Sequence, residues 1–81
     1  MITKRVLALI TAERERQVAQ GYTAQHDDQH LMADFYRFIQ ERIDRRMAAA
    51  GGTGADFRKD MVEIAALAVA ALQKIDRAEP V

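Results

Sequence analysis

The stretch FRKDMVEIAALAVAALQKI, residues 57–75, decides the fold of this chain. Between Met61 and Leu72 its only polar side chain is Glu63, and apolar residues recur at a spacing of three and four, which puts them on one side of an α-helix. The residues of this stripe are Phe57, Met61, Ile64, Ala65, Ala68, Leu72 and Ile75. The pattern predicts a buried, alanine-rich core helix, and Leu72→Asp at the centre of the stripe is expected to unfold the protein.

Length and composition limit the class of protein. A chain of 81 residues makes one domain with a small core, so we expect modest stability unless the protein associates. Twelve basic and twelve acidic side chains give no net charge, which leaves nucleic acid unsupported as a partner. The absence of cysteine excludes disulfides and thiolate zinc sites and favours the cytoplasm.

The sequence also lacks a segment that predicts membrane insertion. The longest apolar run, residues 64–72, is far shorter than the roughly 20 residues of a membrane span. The first residues, MITKRVLALITAERER, have too short an apolar core for a signal peptide. We therefore expect no membrane partner.

The first helix is predicted over about residues 4–20, with Thr3 as its cap and Gly21 in the left-handed closing position. After Ile10, polar residues replace apolar ones on the same side of this helix. A helical wheel places each of them within about 60° of Ile10. These residues are Glu13, Arg14 and Gln17. Two interpretations stay open: a helix end that projects into solvent, or a polar site that faces the bundle.

The connection GYTAQHDDQ, residues 21–29, is the most polar loop of the sequence. His26, Asp27, Asp28 and His30 could supply ligands for a divalent cation or catalytic groups. Zinc is not favoured, because metal sites usually recruit ligands from separated segments, whereas Asp27 or Asp28 before an apolar periodic run is the usual cap of a helix. Helices one and two should be antiparallel, which would bring this connection close to Glu13. The candidate catalytic residues are Glu13 and His26, and the candidate metal ligands are Glu13, Asp27 and Asp28.

A second helix is predicted over about residues 28–50, with its apolar stripe around Phe35. Tyr36 and Phe38 flank this stripe, so the apolar surface is wider than one neighbour requires and indicates a contact with helix three or another subunit. The arginines of the last turns complement the helix dipole, and we prefer that interpretation to an anion site. They are Arg42, Arg45 and Arg46.

A third helix is predicted over about residues 56–77, with Asp56 as its cap and Pro80 closing the ordered part. Asp60 and Glu63 in its first turns should face Arg42 or Arg46 if helices two and three are antiparallel. The sequence thus predicts an all-α fold for residues 1–81: a small three-helix bundle with an alanine-rich C-terminal core helix, open to oligomer formation.

Three motifs taken together resemble a group of small phage and prophage proteins. They are ERERQ at residues 13–17, HDD at residues 26–28 and, after the alanine-rich helix, DR at residues 76–77. Such proteins are similar to the all-α MazG-like nucleoside triphosphate pyrophosphatases, which hold Mg²⁺ between acidic helices. The resemblance implies magnesium ligands at five acids of the three helices: Glu13, Glu41, Asp44, Asp60 and Glu63. No EExxE motif is present, and Glu41 and Asp44 point outward on the wheel, so only an oligomer could gather them.

Two functions of different classes follow. The first is a small phage-type protein that acts by protein-protein binding in the bacterial cytoplasm, by self-association and by binding and inhibiting a host defence component, without a cofactor. Its candidate binding residues are Arg14, Gln17, Tyr22, Tyr36 and Phe38. The alternative is an enzyme similar to the magnesium-dependent nucleoside triphosphate pyrophosphatases, with Mg²⁺ as cofactor.

Overall fold

The computed structural model describes residues 1–49 and 51–79, and the regular structure in this part of the chain is entirely helical. The four helices are α1 (Lys4–Ala19), α2 (Ala24–Asp28), α3 (Met32–Ala48) and α4 (Gly54–Ala78). The predicted all-α fold is confirmed, and α2 is a short addition inside the predicted connection. The predicted ends at Ala50 and Pro80 lie outside the described residues.

The ends of α1 follow the sequence signals. Thr3 Oγ1 accepts a hydrogen bond from the Val6 N–H at 3.2 Å, which satisfies one of the free amides of the first turn. After the helix, Gly21 has a φ of 105°, a left-handed conformation that residues with a Cβ rarely adopt. Both predicted end signals are confirmed.

The starts of α3 and α4 differ from the predictions. Helix α3 begins at Met32 and not at Asp28, and the carboxylate of Asp34 accepts a hydrogen bond from the Leu31 N–H at 2.9 Å. Helix α4 is capped by Thr53, whose Oγ1 accepts from the Asp56 N–H at 3.1 Å. In both helices the aspartate is therefore the third residue of the first turn. Its carboxylate accepts a hydrogen bond from the backbone N–H of the residue just before the helix.

Helix α4 is the centre of the molecule, and each of the other helices packs on it. Helix α3 runs antiparallel to α4: Arg46, near the end of α3, contacts Asp60 at 2.6 Å, and Arg42 lies 3.6 Å from Glu63. These are the predicted ion pairs, and they are confirmed. Helix α1 runs in the same direction as α4, because its first turns lie beside Phe57 and the segment after it lies beside Arg77.

The buried side of α4 is not the predicted stripe. In the described part of the chain the buried apolar residues are Phe35, Ala66, Leu67 and Ala70. Leu67 is 6% exposed, whereas Leu72 is 61% exposed. The prediction that Leu72 lies in the core is wrong, and so is the reason given for Leu72→Asp to unfold the protein. Between Met61 and Leu72 the helix is apolar on nearly every side, so the periodicity there did not select the buried side. The side that carries Asp60 and Glu63 turns towards the arginines of α3.

Part of the predicted core stripe instead forms an open surface, whereas Ile64 and Ile75 of the same stripe are partly buried. We name this surface the α4 apolar face and define it as Phe57, Met61, Ala65, Ala68 and Leu72, which lie within about 80° of one another on a helical wheel. The three large residues are exposed and the two alanines are partly exposed. Helices α1 and α3 flank this face without covering it.

No helix in residues 1–49 or 51–79 combines the length and the apolar character that crossing a membrane requires.

Candidate functional site

The junction of α1 and α2 holds a buried ion pair. Arg14 Nη2 lies 2.7 Å from Asp27 Oδ2, and the two side chains are only 13% and 5% exposed. Arg14 Nη1 also donates to the Tyr22 carbonyl oxygen at 3.0 Å. The ring of Tyr22 meets the ring of His26 edge to face at 5.1 Å. The structure thus brings together Arg14, Tyr22 and His26, three of the residues predicted to gather at this end of the bundle, with Asp27 as the partner of Arg14. Arg14 holds the connection against α1.

Glu13 and Gln17 face the inside of the molecule. Gln17 is 2% exposed, and its Nε2 donates to Glu13 Oε2 at 3.3 Å. Arg16 contacts the same carboxylate at 2.6 and 2.7 Å. These bonds from Arg16 are the main reason that the pKa of Glu13 is lowered, and they outweigh the opposing effect of burial. The interpretation of this segment as a helix end in solvent is wrong for Gln17, which lies in the core.

Asp28 does not join Glu13 or Asp27. It lies about 100° further round α2, where its Oδ1 accepts from Arg77 Nη2 at 2.8 Å, and this bond lowers the pKa of Asp28. The proposed role of Asp28 as the cap of the second helix is wrong, because that helix starts later. Within the described residues, no group of three or more His, Cys, Asp and Glu side chains is placed to hold a metal ion.

The acids implied by the resemblance to pyrophosphatases are dispersed and partnered. On α3, Glu41 is exposed near Arg37, and Asp44 accepts from Gln40 Nε2 at 2.8 Å. On α4, Asp60 bonds to Arg46, which is the main cause of its lowered pKa. Glu63 and Glu13 likewise each have an arginine partner. Most of these carboxylates are therefore paired with arginines, and they do not converge on a common point where an ion could bind.

Acidification should destabilise this set of ion pairs. The pKa values of five carboxyl groups are lowered by arginine contacts or backbone N–H bonds: Glu13, Asp28, Asp34, Asp56 and Asp60. A lowered pKa gives stability that is complete above the unfolded-state value and disappears as the pH falls to the folded-state value. We expect the Tm to be constant from neutral pH to about pH 5 and to fall below about pH 4. Circular dichroism melts across this range measure it, and a Tm that rises on acidification would contradict it.

The sequence analysis named His26 and His30 as possible ligands but did not predict that their side chains meet between α2 and α3. His26 Nε2 and His30 Nε2 are 3.3 Å apart, and the His30 ring meets Phe38 edge to face at 5.1 Å. The only available signal was the spacing of four residues between the histidines, which brings side chains together on a helix. Here the chain leaves the helix after Asp28, so that spacing alone did not predict the contact.

Two apolar grooves lie beside the α4 apolar face. The first has a volume of about 300 Å³ between α3 and α4, and Tyr36, Met32 and Leu72 are among its lining residues. The second has a volume of about 420 Å³ between α1 and α4, beside Val6 and Phe57. Tyr36 is therefore on an exposed apolar surface, as its candidate binding role requires. Phe38 is not, because its half-buried ring packs between His30 and Phe35.

Comparisons with protein-family models, curated proteins and solved structures found no match to this chain.

Proposed function

We propose that this protein acts by protein-protein binding and that the α4 apolar face, with its two grooves, is the binding surface. The single observation that carries the proposal is the exposure of this face along the central helix. An exposed apolar surface that is continuous along a helix is typical of an interaction site. The phage-type motifs support a host protein of the bacterial cytoplasm, such as a defence component, as the target.

The amount of exposed surface supports the same proposal. The accessible surface of the chain is 6158 Å², whereas a monomer of 9.1 kDa is expected to expose about 4,900 Å². The excess is about 1,200 Å², more than the roughly 800 Å² that each partner buries in a standard interface. The chain as a whole therefore exposes more surface than a monomer of its size, as expected of a protein that buries part of its surface in a complex.

In the absence of the host target, the partner that the geometry favours for this face is a second copy of the chain, which the target would have to displace. In an antiparallel two-fold pair centred between Ala65 and Ala68, Met61 of one copy would lie opposite Leu72 of the second copy. Phe57 would lie near Ile75, beside the groove between α3 and α4 of that copy. The end of the face with Phe57 thus meets the groove beside Leu72 of the second copy. The two-fold axis repeats this contact at the other end of the interface. The alanines at the centre allow close approach of the two helices.

We expect the protein to dimerise, with a mass in light scattering that rises from one towards two chains between micromolar and several hundred micromolar. Leu72→Asp places a charge in the interface and should weaken association by roughly 100-fold without unfolding the monomer. Gln73→Asp is the matched control, because it adds the same charge one residue away, off the α4 apolar face. A monomer at every concentration, or equal association of both variants, would contradict the dimer.

The proposed target is tested by affinity capture with the same variants. A host protein that binds the parent and Gln73→Asp but not Leu72→Asp, and whose activity the parent inhibits in purified form, would support the function. Capture that is unchanged by Leu72→Asp would reject the α4 apolar face as the binding surface.

The pyrophosphatase alternative is less well supported, because its expected acids are partnered by arginines. It predicts release of pyrophosphate from a nucleoside triphosphate with Mg²⁺, and loss of that activity in Glu13→Gln. Activity of this kind would overturn the binding proposal.

A further inference from the structure

His26 and His30 point towards each other on the surface near the turn between α2 and α3. Their Nε2 atoms are 3.3 Å apart, closer than the ring centroids at 4.6 Å, so the Nε2 edges of the two rings converge. The side chains are 34% and 27% exposed. A small ion can therefore reach both nitrogens from solvent.

Two carboxylates determine which nitrogen of each ring carries the proton. His26 Nδ1 lies 3.3 Å from Asp27 Oδ1, and His30 Nδ1 lies 3.1 Å from Asp34 Oδ2. An ionised carboxylate only accepts hydrogen bonds, so both Nδ1 atoms are assigned as donors. In a neutral imidazole this assignment leaves a lone pair on Nε2. The two Nε2 atoms can then either share one proton in an N–H···N hydrogen bond or bind a cation between them.

We propose that His26 and His30 bind a divalent transition-metal ion, of which Zn²⁺ is the representative. Two histidine nitrogens at a Zn–N distance of about 2.0 to 2.1 Å and a tetrahedral angle are about 3.3 to 3.4 Å apart. The observed Nε2–Nε2 separation of 3.3 Å matches this distance, and the ring centroids, 4.6 Å apart, must separate slightly to aim both lone pairs at one ion. The site is independent of the proposed binding function and uses neither Glu13 nor Asp28.

The surroundings of the pair are those of a metal-binding histidine. Such a histidine usually donates its second ring N–H to a carboxylate, which orients the ring and raises its basicity. Here both carboxylates are themselves held: Asp27 by Arg14 at 2.7 Å, and Asp34 by Arg37 at 3.1 Å. The ligands are thus oriented before an ion arrives.

The ion class follows from the ligands. Imidazole nitrogen suits Zn²⁺, Ni²⁺, Co²⁺ and Cu²⁺, whereas Mg²⁺ prefers carboxylate and water oxygens. Since the described residues supply no third side chain from among His, Cys, Asp and Glu, water completes the coordination. The site is therefore open, and its affinity should be below that of closed four-ligand zinc sites.

Calorimetric titration of the full chain with Zn²⁺, at neutral pH in a buffer that does not bind metals, tests the proposal. We expect one ion per chain, loss of this binding in His26→Gln and in His30→Gln, and roughly 10- to 100-fold weaker binding in Asp34→Asn. The sequence has two histidines and no cysteine, so no other side chains supply nitrogen or sulfur ligands of this kind. Mg²⁺ is the matched control ion and should give no binding at this site.

A second readout avoids the variants, in case a substitution disturbs the fold. In the parent, NMR signals of the Cε1–H protons of both histidines should shift together on addition of Zn²⁺ and stay unchanged with Mg²⁺. The proposal is overturned if Zn²⁺ leaves both histidine signals unchanged. Equal Zn²⁺ binding by the parent and by folded variants that lack either histidine would overturn it as well.

Discussion

Leu67→Asp is expected to unfold the protein. Leu67 is 6% exposed and lies between the buried alanines of α4, so a carboxylate there loses its hydration without gaining a partner. The cost is several kcal/mol, comparable with the whole free energy of unfolding of a small domain. Circular dichroism should show loss of helix at room temperature and no cooperative melting transition.

Leu72→Asp is the matched control for this experiment. It makes the same change on the same helix, but at a side chain that is 61% exposed, so the monomer should keep its helical content and cooperative melting. If Leu72→Asp unfolds the protein and Leu67→Asp does not, the orientation of α4 described above is incorrect.

Arg14→Met should cost about 3 to 5 kcal/mol of unfolding free energy, because it leaves the carboxylate of Asp27 buried without its cation. The change also removes the hydrogen bond to the Tyr22 carbonyl oxygen, so α2 loses its main attachment to α1. Urea denaturation measures the loss as a lower midpoint with a similar slope.

The double variant Arg14→Met, Asp27→Leu separates the ion pair from the packing around it. Removing both charges leaves no buried ion, so this variant should recover most of the stability lost in Arg14→Met. Arg16→Met is the control. The side chain of Arg16 is about half exposed in its ion pair with Glu13, so this substitution should cost at most about 1 kcal/mol of unfolding free energy. Equal losses for Arg14→Met and Arg16→Met would show that the pair with Asp27 has no special role.

Local signals in the sequence predicted the two ends of α1 correctly. The hydroxyl of Thr3 and the glycine at position 21 mark the two ends of the helix. Both act on neighbouring backbone atoms, so the sequence alone is enough to predict where the helix begins and ends. The pairing of Arg46 with Asp60 was also predictable, because an antiparallel arrangement and the spacing of charges determine it.

The orientation of side chains was harder to predict. Helix α4 has apolar residues on nearly every side, so periodicity could not show that Leu67 is buried and Leu72 is not. Asp27 and Asp28 are adjacent, yet one is buried against α1 and the other pairs with Arg77 on α4. One residue corresponds to about 100° of helix rotation, and the tertiary contacts that select between such neighbours are not local. The short helix α2, which contains both aspartates, was not predicted either.

The central position of α4 has a consequence for folding during synthesis. Helices α1, α2 and α3 pack mainly on α4, which the ribosome makes after all three. Until α4 emerges, the nascent chain has no surface on which to bury Phe35, and its earlier helices gain little tertiary stabilisation. Many proteins fold their N-terminal part first, but here the order of synthesis delays folding until the last helix is available. We therefore expect a chain arrested before α4 to remain sensitive to proteases and to become resistant once that helix is complete.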